Sequence, residues 1–386
     1  MIKKYLVLAI FALTLSGCTV RLPGGTPASD GESEEANAFN QKVQPGSIWK
    51  SLDGGQVFSV QSRVDEKQVI TKADVLALSF HPTDHNTIYV GTVDHGIFKT
   101  TDGGEYWQQI VFPPKKIYSF ILDKNRPDER MFASGTIGKF GKIFRTDNGG
   151  DEWHVVYTEP GEGVTVTTLA QHPRDMNVIF AGTSAGTVVK STDSGETWKN
   201  IGGTLDGPIT DIVFDAVRPL SLYAFSFNTK VYYSSDGGLK WIDWEVVKQQ
   251  EKSSSGTLSV ALTPEEQKVE QEKTMPSSLL SLTADPNVSG RVYGSRNGGL
   301  YRSNDFGKNW AKINIIESAE KFPVRAVVVS PHDSNEIAFA AGSAFYKSKN
   351  GGDTWSVIDL FIDRSVSLLA YDPEDPSVIY MALRKL

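Results

Sequence analysis

The chain has 386 residues, and its 39 Lys and Arg against 46 Asp and Glu give a formal net charge of −7. With 39% hydrophobic and 10% aromatic residues, it is too apolar for a disordered protein and long enough to bury a large core. The single cysteine excludes a disulfide scaffold and a cysteine-based zinc site. The acidic balance argues against a general nucleic-acid binder, which would carry a strong basic excess.

The first segment predicts export rather than a folded element. Two lysines precede the apolar stretch 5–15, which is too short for a permanent membrane span of ~20 helical residues. The stretch ends in Leu-Ser-Gly-Cys, which resembles the bacterial lipobox. That resemblance implies a signal peptide over residues 1–17 and a lipidated Cys18, whose several acyl chains give stable anchoring. The alternative is an ordinary secretory signal or an uncleaved anchor with a chance cysteine.

The residues after the cysteine predict a location and a spacer. Thr19 stands where a residue other than Asp resembles the pattern of lipoproteins sent to the outer membrane, if the host has two membranes. In a host with one membrane, the protein would sit on its outer face. Residues 18–45 are rich in Gly, Pro, Ser and Glu, which predicts a flexible tether. We therefore expect a monomeric lipoprotein of the cell envelope.

One octapeptide pattern, Ser/Thr-x-Asp/Asn-x-Gly-x-x-Trp/Phe, recurs seven times and decides the fold. Its copies begin at residues 51, 100, 146, 191, 234, 303 and 348. Its third position is occupied by Asp53, Asp102, Asn148, Asp193, Asp236, Asp305 and Asn350. Its last position is occupied by Phe58, Trp107, Trp153, Trp198, Trp241, Trp310 and Trp355. Such regular spacing indicates one structural unit repeated along the chain.

The chemistry of the octapeptide suits a tight turn between two strands. The Asp or Asn oxygen can accept hydrogen bonds from nearby backbone N–H groups, and the glycines can take a positive φ. The closing aromatic can bury a large face between neighbouring sheets. Asn replaces Asp in two copies, which keeps an acceptor but removes the charge. A turn tolerates that exchange and a catalytic carboxylate does not, so we expect a structural role.

These octapeptides resemble the Asp-box, or BNR repeat, of sialidases, sortilin-like receptors, xyloglucanases and photosystem II assembly factors. The resemblance covers residues 46–386 and implies an all-β, seven-bladed β-propeller. Short β-branched and aromatic runs before each box also predict four antiparallel strands per blade. The expected blades are 73–112, 116–157, 163–202, 207–247, 277–315 and 322–360, with a composite seventh from 365–386 and 46–60. That composite would close the ring and leave no open sheet edge.

The long gap between the fifth and sixth boxes predicts a polar insertion at 248–276. Within it, Thr263-Pro-Glu-Glu is typical of a helix start, which favours a short helix to Lys273. Disorder is the alternative.

Candidate ligand-binding residues lie on the rim opposite the boxes, where propellers commonly bind ligands. We single out Asp94, His95 and Arg296 in turns, and a basic group consisting of Lys115, Lys116, Lys139 and Lys142. The lysines could form a spot for an acidic partner or a polysaccharide, with unremarkable surface lysines as the alternative. The six histidines show no metal-ligand spacing, and no phosphate loop or nucleophile elbow is present. We therefore expect no catalytic residue, metal or cofactor.

Two functions remain open at this point. The first is a non-enzymatic, membrane-tethered propeller that binds a protein as an assembly or scaffold factor, as the resemblance to photosystem II assembly factors implies. The second is a carbohydrate-active surface protein, either a glycan binder or a glycoside hydrolase. A hydrolase would need two carboxylates ~5–10 Å apart across a pocket.

Overall fold

A computed structural model of the chain describes residues 46–64, 70, 72–114, 116–228, 230–254 and 279–385. The expected signal peptide, Cys18, the tether, Lys115 and the helix at Thr263 lie outside these residues. Within the described part, no helix has both the length and the hydrophobicity needed to span a membrane.

The described chain forms seven four-stranded antiparallel sheets, as the spacing of the boxes predicts. Blade 1 contains β3 (Val75–Phe80), β4 (Ile88–Thr92), β5 (Ile97–Thr100) and β6 (Gln108–Ile110). Blade 2 contains β7 (Ser119–Leu122), β8 (Met131–Ile137), β9 (Phe140–Thr146) and β10 (His154–Thr158). Blade 3 contains β11 (Val166–Gln171), β12 (Ile179–Thr183), β13 (Thr187–Ser191) and β14 (Lys199–Thr204).

The next three sheets repeat the same order. Blade 4 contains β15 (Ile209–Phe214), β16 (Leu222–Ser226), β17 (Val231–Ser234) and β18 (Ile242–Asp243). Blade 5 contains β19 (Leu279–Ala284), β20 (Val292–Arg296), β21 (Gly299–Ser303) and β22 (Ala311–Ile313). Blade 6 contains β23 (Val324–Val329), β24 (Ile337–Ala341), β25 (Ala344–Ser348) and β26 (Ser356–Asp359).

The seventh sheet, the closing blade, is built from both ends of the described chain. Its order is β2 (Ser59–Val60), β1 (Ile48–Ser51), β28 (Ile379–Arg384) and β27 (Ser365–Tyr371). Strand β1 pairs with β28 from Ile48 opposite Ala382 to Ser51 opposite Ile379. The predicted all-β propeller with a composite blade is therefore confirmed.

The hydrophobic core is divided into seven clusters, one at each junction between neighbouring blades. The cluster between the closing blade and blade 1, for example, joins Ile48 and Tyr380 to Val90 and Trp107. The first strands of the blades contact one another around the ring, so they form its inner wall. Each blade is therefore stabilised by its two neighbours, and the channel lies inside the first strands.

Within the described residues, two helices interrupt the β-structure, and the longer one begins earlier than the insertion expected at residue 248. Helix α1 (Trp244–Ser254) follows β18 directly, and α2 (Glu317–Glu320) lies between blades 5 and 6. Asp243 Oδ1 accepts hydrogen bonds from the N–H groups of Glu245 (3.0 Å) and Val246 (3.4 Å), which caps α1. This cap ends the outer strand of blade 4 after two residues.

Candidate functional site

The seven boxes share one hydrogen-bond pattern. In the fourth box, the Ser191 hydroxyl donates to Asp193 Oδ1 (2.8 Å) and accepts from the Gly195 N–H (2.8 Å). The Thr197 N–H also donates to Asp193 Oδ1 at 2.8 Å. Equivalent bonds at 2.6–3.0 Å recur in the other six boxes. The box oxygens thus bind their own turns.

The hydrogen-bond pattern of the box does not require a charged residue at its third position. Asn148 Oδ1 accepts from the Glu152 N–H at 3.0 Å, and Asn350 Oδ1 accepts from the Thr354 N–H at 2.9 Å. Where the residue is Asp, the bonds stabilise the ionised form. The Thr197 hydroxyl and N–H lower the pKa of Asp193 to about 2.

The aromatic residues that close the boxes pack against neighbouring blades. Trp107 and Trp310 are fully buried, and Phe58 packs edge-on against Phe345 of blade 6. Three indole N–H groups donate to a carbonyl of the preceding blade: Trp107 to Gln61 (2.9 Å), Trp153 to Val111 (3.1 Å) and Trp355 to Asn314 (2.9 Å). Trp198 packs on Tyr157 of blade 2, and Trp241 packs against the cluster between blades 3 and 4.

A row of cations that the sequence reasoning missed also joins neighbouring blades. Five residues directly before a box donate to a carbonyl in the box of the next blade. They are Lys50 to Gly103 (3.0 Å), Arg145 to Ser194 (3.1 Å), Lys190 to Gly237 (3.3 Å), Arg302 to Gly351 (3.2 Å) and Lys347 to Gly54 (2.9 Å). The signal was present in the sequence, because Lys or Arg precedes six of the seven boxes.

Tyr233 takes the cation's position in blade 4. Its ring lies 5.1 Å from the Phe306 ring of the next box and stacks on Trp244 at 6.0 Å. The Trp244 N–H donates to the Phe306 carbonyl at 2.9 Å. Helix α1 thus replaces a cationic contact with an aromatic one.

The turns that join the first and second strands of each blade lie at the same end as the boxes, and together they form the box rim. Polar contacts link these turns at six of the seven junctions in the described chain. They are His81–Asp128 (3.6 Å), Gln171–Asp123 (3.0 Å), Arg174–Val217 (3.0 Å), Gly290–Asp215 (2.6 Å), Ser334–Asp285 (2.7 Å) and His85–Asp372 (3.2 Å). The polar groups of the box rim are therefore largely used in holding the ring together.

The opposite end, the connection rim, contains the turns between second and third strands and the links between blades. It exposes large apolar side chains, namely Ile137, Phe140, Phe227, Phe322 and Phe361. Phe227 is 73% exposed; its N–H donates to the Pro208 carbonyl (2.8 Å), and the Ser226 N–H donates to the Lys230 carbonyl (2.9 Å). Exposed aromatic side chains held by such backbone bonds are typical of protein-binding surfaces. Phe227 could have been singled out from the sequence, because an aromatic residue is unusual in the short polar turn after β16.

The sequence-predicted residues of this rim are dispersed over several blades. Asp94 Oδ1 lies 2.6 Å from His95 Nδ1 in the β4–β5 turn, and Arg296 lies over the Tyr301 ring at 5.4 Å. Of the predicted basic group, Lys139 forms an ion pair with Glu162, and Lys142 Nζ donates to Thr158 Oγ1 at 2.8 Å. Lys116 is exposed. Two of these lysines, Lys139 and Lys142, thus already have partners within blade 2 or its link to blade 3.

Bulges near the start of the first strand shape the mouth of the channel at the connection rim. Six of the seven first strands carry one, and no pattern in the sequence announced it. Bulges redirect side chains and are frequent near functional sites. We call the six bulge residues the bulge ring: Leu76, Thr167, Thr210, Leu280, Arg325 and Ser367.

Arg325 differs from the rest of the bulge ring in charge and in bonding. The three hydroxyls of the ring each donate to a carbonyl, as Ser367 does to Val75 of the next blade (3.1 Å) and Thr210 to Phe225 (3.1 Å). The Arg325 Nε is buried and has no hydrogen-bond partner among the described residues. Among the described residues of the bulge ring, Arg325 is therefore the one cationic donor without a partner.

Beside the bulge ring lies one partly buried carboxylate, Asp211. Protein packed around Asp211 raises its pKa to about 6. The residues after the bulge in the other five strands are Ala77, Thr168, Ser281, Ala326 and Leu368. The described chain therefore places a single acid at this level of the inner wall. It also contains no cluster of three or more His, Cys, Asp or Glu arranged for a metal ion.

Two curated proteins are similar in sequence. The photosystem II assembly lipoprotein Ycf48 of Synechococcus sp. (strain CC9902) is 26% identical over 37% of this chain, and the match spans only 41% of that protein's length. The photosystem II stability/assembly factor HCF136, chloroplastic, of Arabidopsis thaliana is 23% identical over 73% of this chain and 67% of its own length.

Solved structures share the fold at low sequence identity. The GH74 xyloglucanase of Xanthomonas campestris matches 81% of this chain with a TM-score of 0.60 and 18% identity, but only 51% of the enzyme is covered. The structure described as YCF48 bound to D1 peptide matches 83% of this chain with a TM-score of 0.57 and 16% identity, and 99% of it is covered.

A family model gives the most direct assignment. The model described as the DUF6242 beta propeller domain matches residues 126–362, which is more than half of the chain. The matched region runs from blade 2 through blade 6. The chain therefore belongs to the DUF6242 beta propeller domain family.

Proposed function

We propose that this protein is a membrane-tethered binding propeller of the bacterial cell envelope, which holds a protein partner on its connection rim as an assembly or scaffold factor. The observation that carries the proposal is the contrast between the two rims. Among the described residues, the connection rim exposes four phenylalanines, Phe140, Phe227, Phe322 and Phe361, whereas the large exposed side chains of the box rim are mostly aliphatic, with Tyr106 as the aromatic exception. The turns of the box rim also contact one another through polar groups at six of the seven described junctions.

The relatives support a polypeptide as the ligand. Both curated relatives carry the description of photosystem II assembly factors, and one of them is described as a lipoprotein. The structure of which this chain covers 99% holds a D1 peptide. A single ring with a partner on one face agrees with both observations.

Site-specific photo-crosslinking tests the binding face. A photoreactive phenylalanine analogue replaces Phe227 on the connection rim or, as the matched control, Leu239 on the box rim, which is 62% exposed. We expect crosslinks to a discrete protein from position 227 and not from position 239. Crosslinks from position 239 alone, or from neither position in the native host, would contradict the proposal.

Fractionation tests the tether. The wild-type protein should remain with the membranes, and the Cys18→Ser variant should appear in the soluble envelope fraction. An unchanged distribution of the variant would refute lipid anchoring at Cys18, without affecting the choice of binding face.

A glycan-binding or hydrolytic function is the second candidate, favoured by the similarity to the xyloglucanase fold. Hydrolysis by the usual pair of carboxylates needs a partner for Asp211, and the described inner wall has none at the equivalent positions. Release of reducing ends from xyloglucan by the purified protein, lost in Asp211→Asn, would favour this candidate over the first.

A further inference from the structure

Arg325 occupies a position at which other bulge residues bond across a blade junction. Thr167 and Ser367 reach the first strand of the next blade and donate to the carbonyls of Ile209 and Val75. Arg325 carries a longer side chain at the same place. Its Nε is buried without a hydrogen-bond partner, and its guanidinium makes no hydrogen bond or ion pair among the described residues. The Arg325 guanidinium therefore does not join blade 6 to the closing blade.

An unpaired, partly buried guanidinium is costly unless a ligand satisfies it. A buried donor without an acceptor loses the free energy of its hydration, and the loss is larger when the donor is charged. The guanidinium groups of Arg145 and Arg364, by contrast, each donate to a backbone carbonyl. Arg302 also donates to a carbonyl through Nη1, although its Nε, like that of Arg325, is buried without a partner among the described residues. Arg325 differs from these three arginines because its guanidinium makes no hydrogen bond or ion pair at all among the described residues.

We propose that Arg325 anchors a carboxylate from an acidic side chain of the protein partner at the channel mouth. The inference rests on the proposed function and deepens it. A monoanion fits because Arg325 is the single cation of the bulge ring, and because the net charge of −7 disfavours a polyanion. Leu76 and Leu280 belong to the same ring, and Leu280 is exposed, so an apolar residue next to the acid would have a surface to contact.

NMR of the full chain tests the anchor directly. The Nε–Hε resonances of arginine are recorded during titration with N-acetyl-glutamyl-leucinamide and with the neutral N-acetyl-glutaminyl-leucinamide. We expect a saturable shift of the Arg325 resonance with the glutamyl peptide alone, and about tenfold weaker binding in Arg325→Gln, the size of one charge-assisted hydrogen bond. Equal shifts with both peptides, or none, would overturn the proposal.

The matched control is Arg296→Gln, which removes another partly exposed arginine from the same rim. It should bind the glutamyl peptide like the wild type, because Arg296 lies over the Tyr301 ring of its own blade. Equal weakening in both variants would indicate general attraction to positive charge and would refute a specific anchor. Equal thermal unfolding midpoints for the variants and the wild type ensure that altered binding does not reflect unfolding.

Crosslinking from position 227 in an Arg325→Gln background separates this inference from the proposed function. We expect the crosslinked partner to decrease about tenfold. If the yield is unchanged, the Arg325 anchor is refuted and partner binding stands. If the wild type yields no crosslink, the proposed function is refuted, and a positive peptide titration would still support carboxylate binding at Arg325.

Discussion

Two aspartates show how local environment sets opposite pKa shifts in one ring. Hydrogen bonds from Thr197 stabilise the ionised form of Asp193 and lower its pKa to about 2. Burial disfavours the ionised form of Asp211 and raises its pKa to about 6. The first residue is built into a turn, whereas the second carries a cost at neutral pH that the fold must offset.

Asp193→Ala should lower the free energy of unfolding by about 1 kcal/mol at pH 7, the usual effect of losing a side-chain cap, and Asp193→Asn should cost less. Asn148 and Asn350 already fill the same position. The folded pKa is depressed, so the contribution of Asp193 is complete above its ordinary pKa of 3.8 and is lost as pH falls toward 2. Denaturant unfolding at pH 7 and pH 3 measures both effects. An Asn variant as unstable as the Ala variant at pH 7 would show that charge matters in the turn.

Asp211→Asn should stabilise the protein at pH 7 by about 1–3 kcal/mol and have little effect at pH 4. Because the folded pKa is raised, the wild type loses stability as pH rises from the ordinary value of 3.8 through about 6. Unfolding midpoints of both proteins between pH 4 and pH 8 test this. A constant difference across that range would contradict a buried, titrating carboxylate.

At the scale of elements, the cations before the boxes act as cross-links between blades. Lys347 is the most buried example: its Nζ donates to the Gly54 carbonyl of the closing blade (2.9 Å) and forms an ion pair with Glu336. Only 7% of its side chain is exposed. Removing such a cation leaves the partly buried Glu336 carboxylate without its counter-charge and the Gly54 carbonyl without its donor.

Lys347→Met should therefore lower the free energy of unfolding by about 3 kcal/mol. Lys99→Met is the matched control, since Lys99 precedes a box in the same way but only lies over the Tyr89 ring at 5.2 Å among its described contacts. Its loss should cost below about 1 kcal/mol. Urea denaturation of both variants decides the question, and equal losses would mean that the carbonyl and carboxylate contacts add little.

The sequence predicted the blades because the boxes mark each sheet at a nearly constant interval. It did not reveal the bulges, since bulge residues as different as Leu76, Arg325 and Ser367 share no side-chain property. The early start of α1 was missed because Asp243 caps a helix where a longer outer strand was expected. Local backbone geometry of this kind depends on packing between blades, which one sequence does not display.

At the scale of the whole molecule, Arg364 holds the closing blade to the start of blade 1. Its guanidinium donates to Ser47 Oγ and the Ala73 carbonyl (both 3.0 Å) and forms an ion pair with Asp74. The Asp74 carboxylate also accepts from the Lys385 N–H at 2.6 Å. Through Arg364 and its partner Asp74, the residues next to β1, β27 and β28 of the closing blade are held to the segment before β3 of blade 1.

Arg364→Gln should lower the free energy of unfolding by about 2–4 kcal/mol and open the closing blade first. Hydrogen exchange should accelerate in β27, β28 and β1 more than in blades 3 and 4. Uniform acceleration throughout the ring would show instead that all blades open together.

The candidate site was less predictable than the fold. The rim opposite the boxes followed from strand order, and Asp94, His95 and Arg296 do lie in or beside its turns. The exposed Phe227 and the unpaired Arg325 were not singled out, because exposure and the lack of a partner are properties of the packed ring. Residues 115 and 18 lie outside the described chain, and fractionation of the Cys18→Ser variant tests the second of them.

The closing blade also sets a condition on biosynthesis. Strands β27 and β28 are the last two of the described chain, and β1 has no sheet partner besides β2 until β28 arrives. A ribosome adds about 5–20 residues per second, so β1 can pair with β28 only after residues 379–384 have been synthesised. A polypeptide truncated before residue 379 would keep β1 unpaired on one side and expose an open sheet edge.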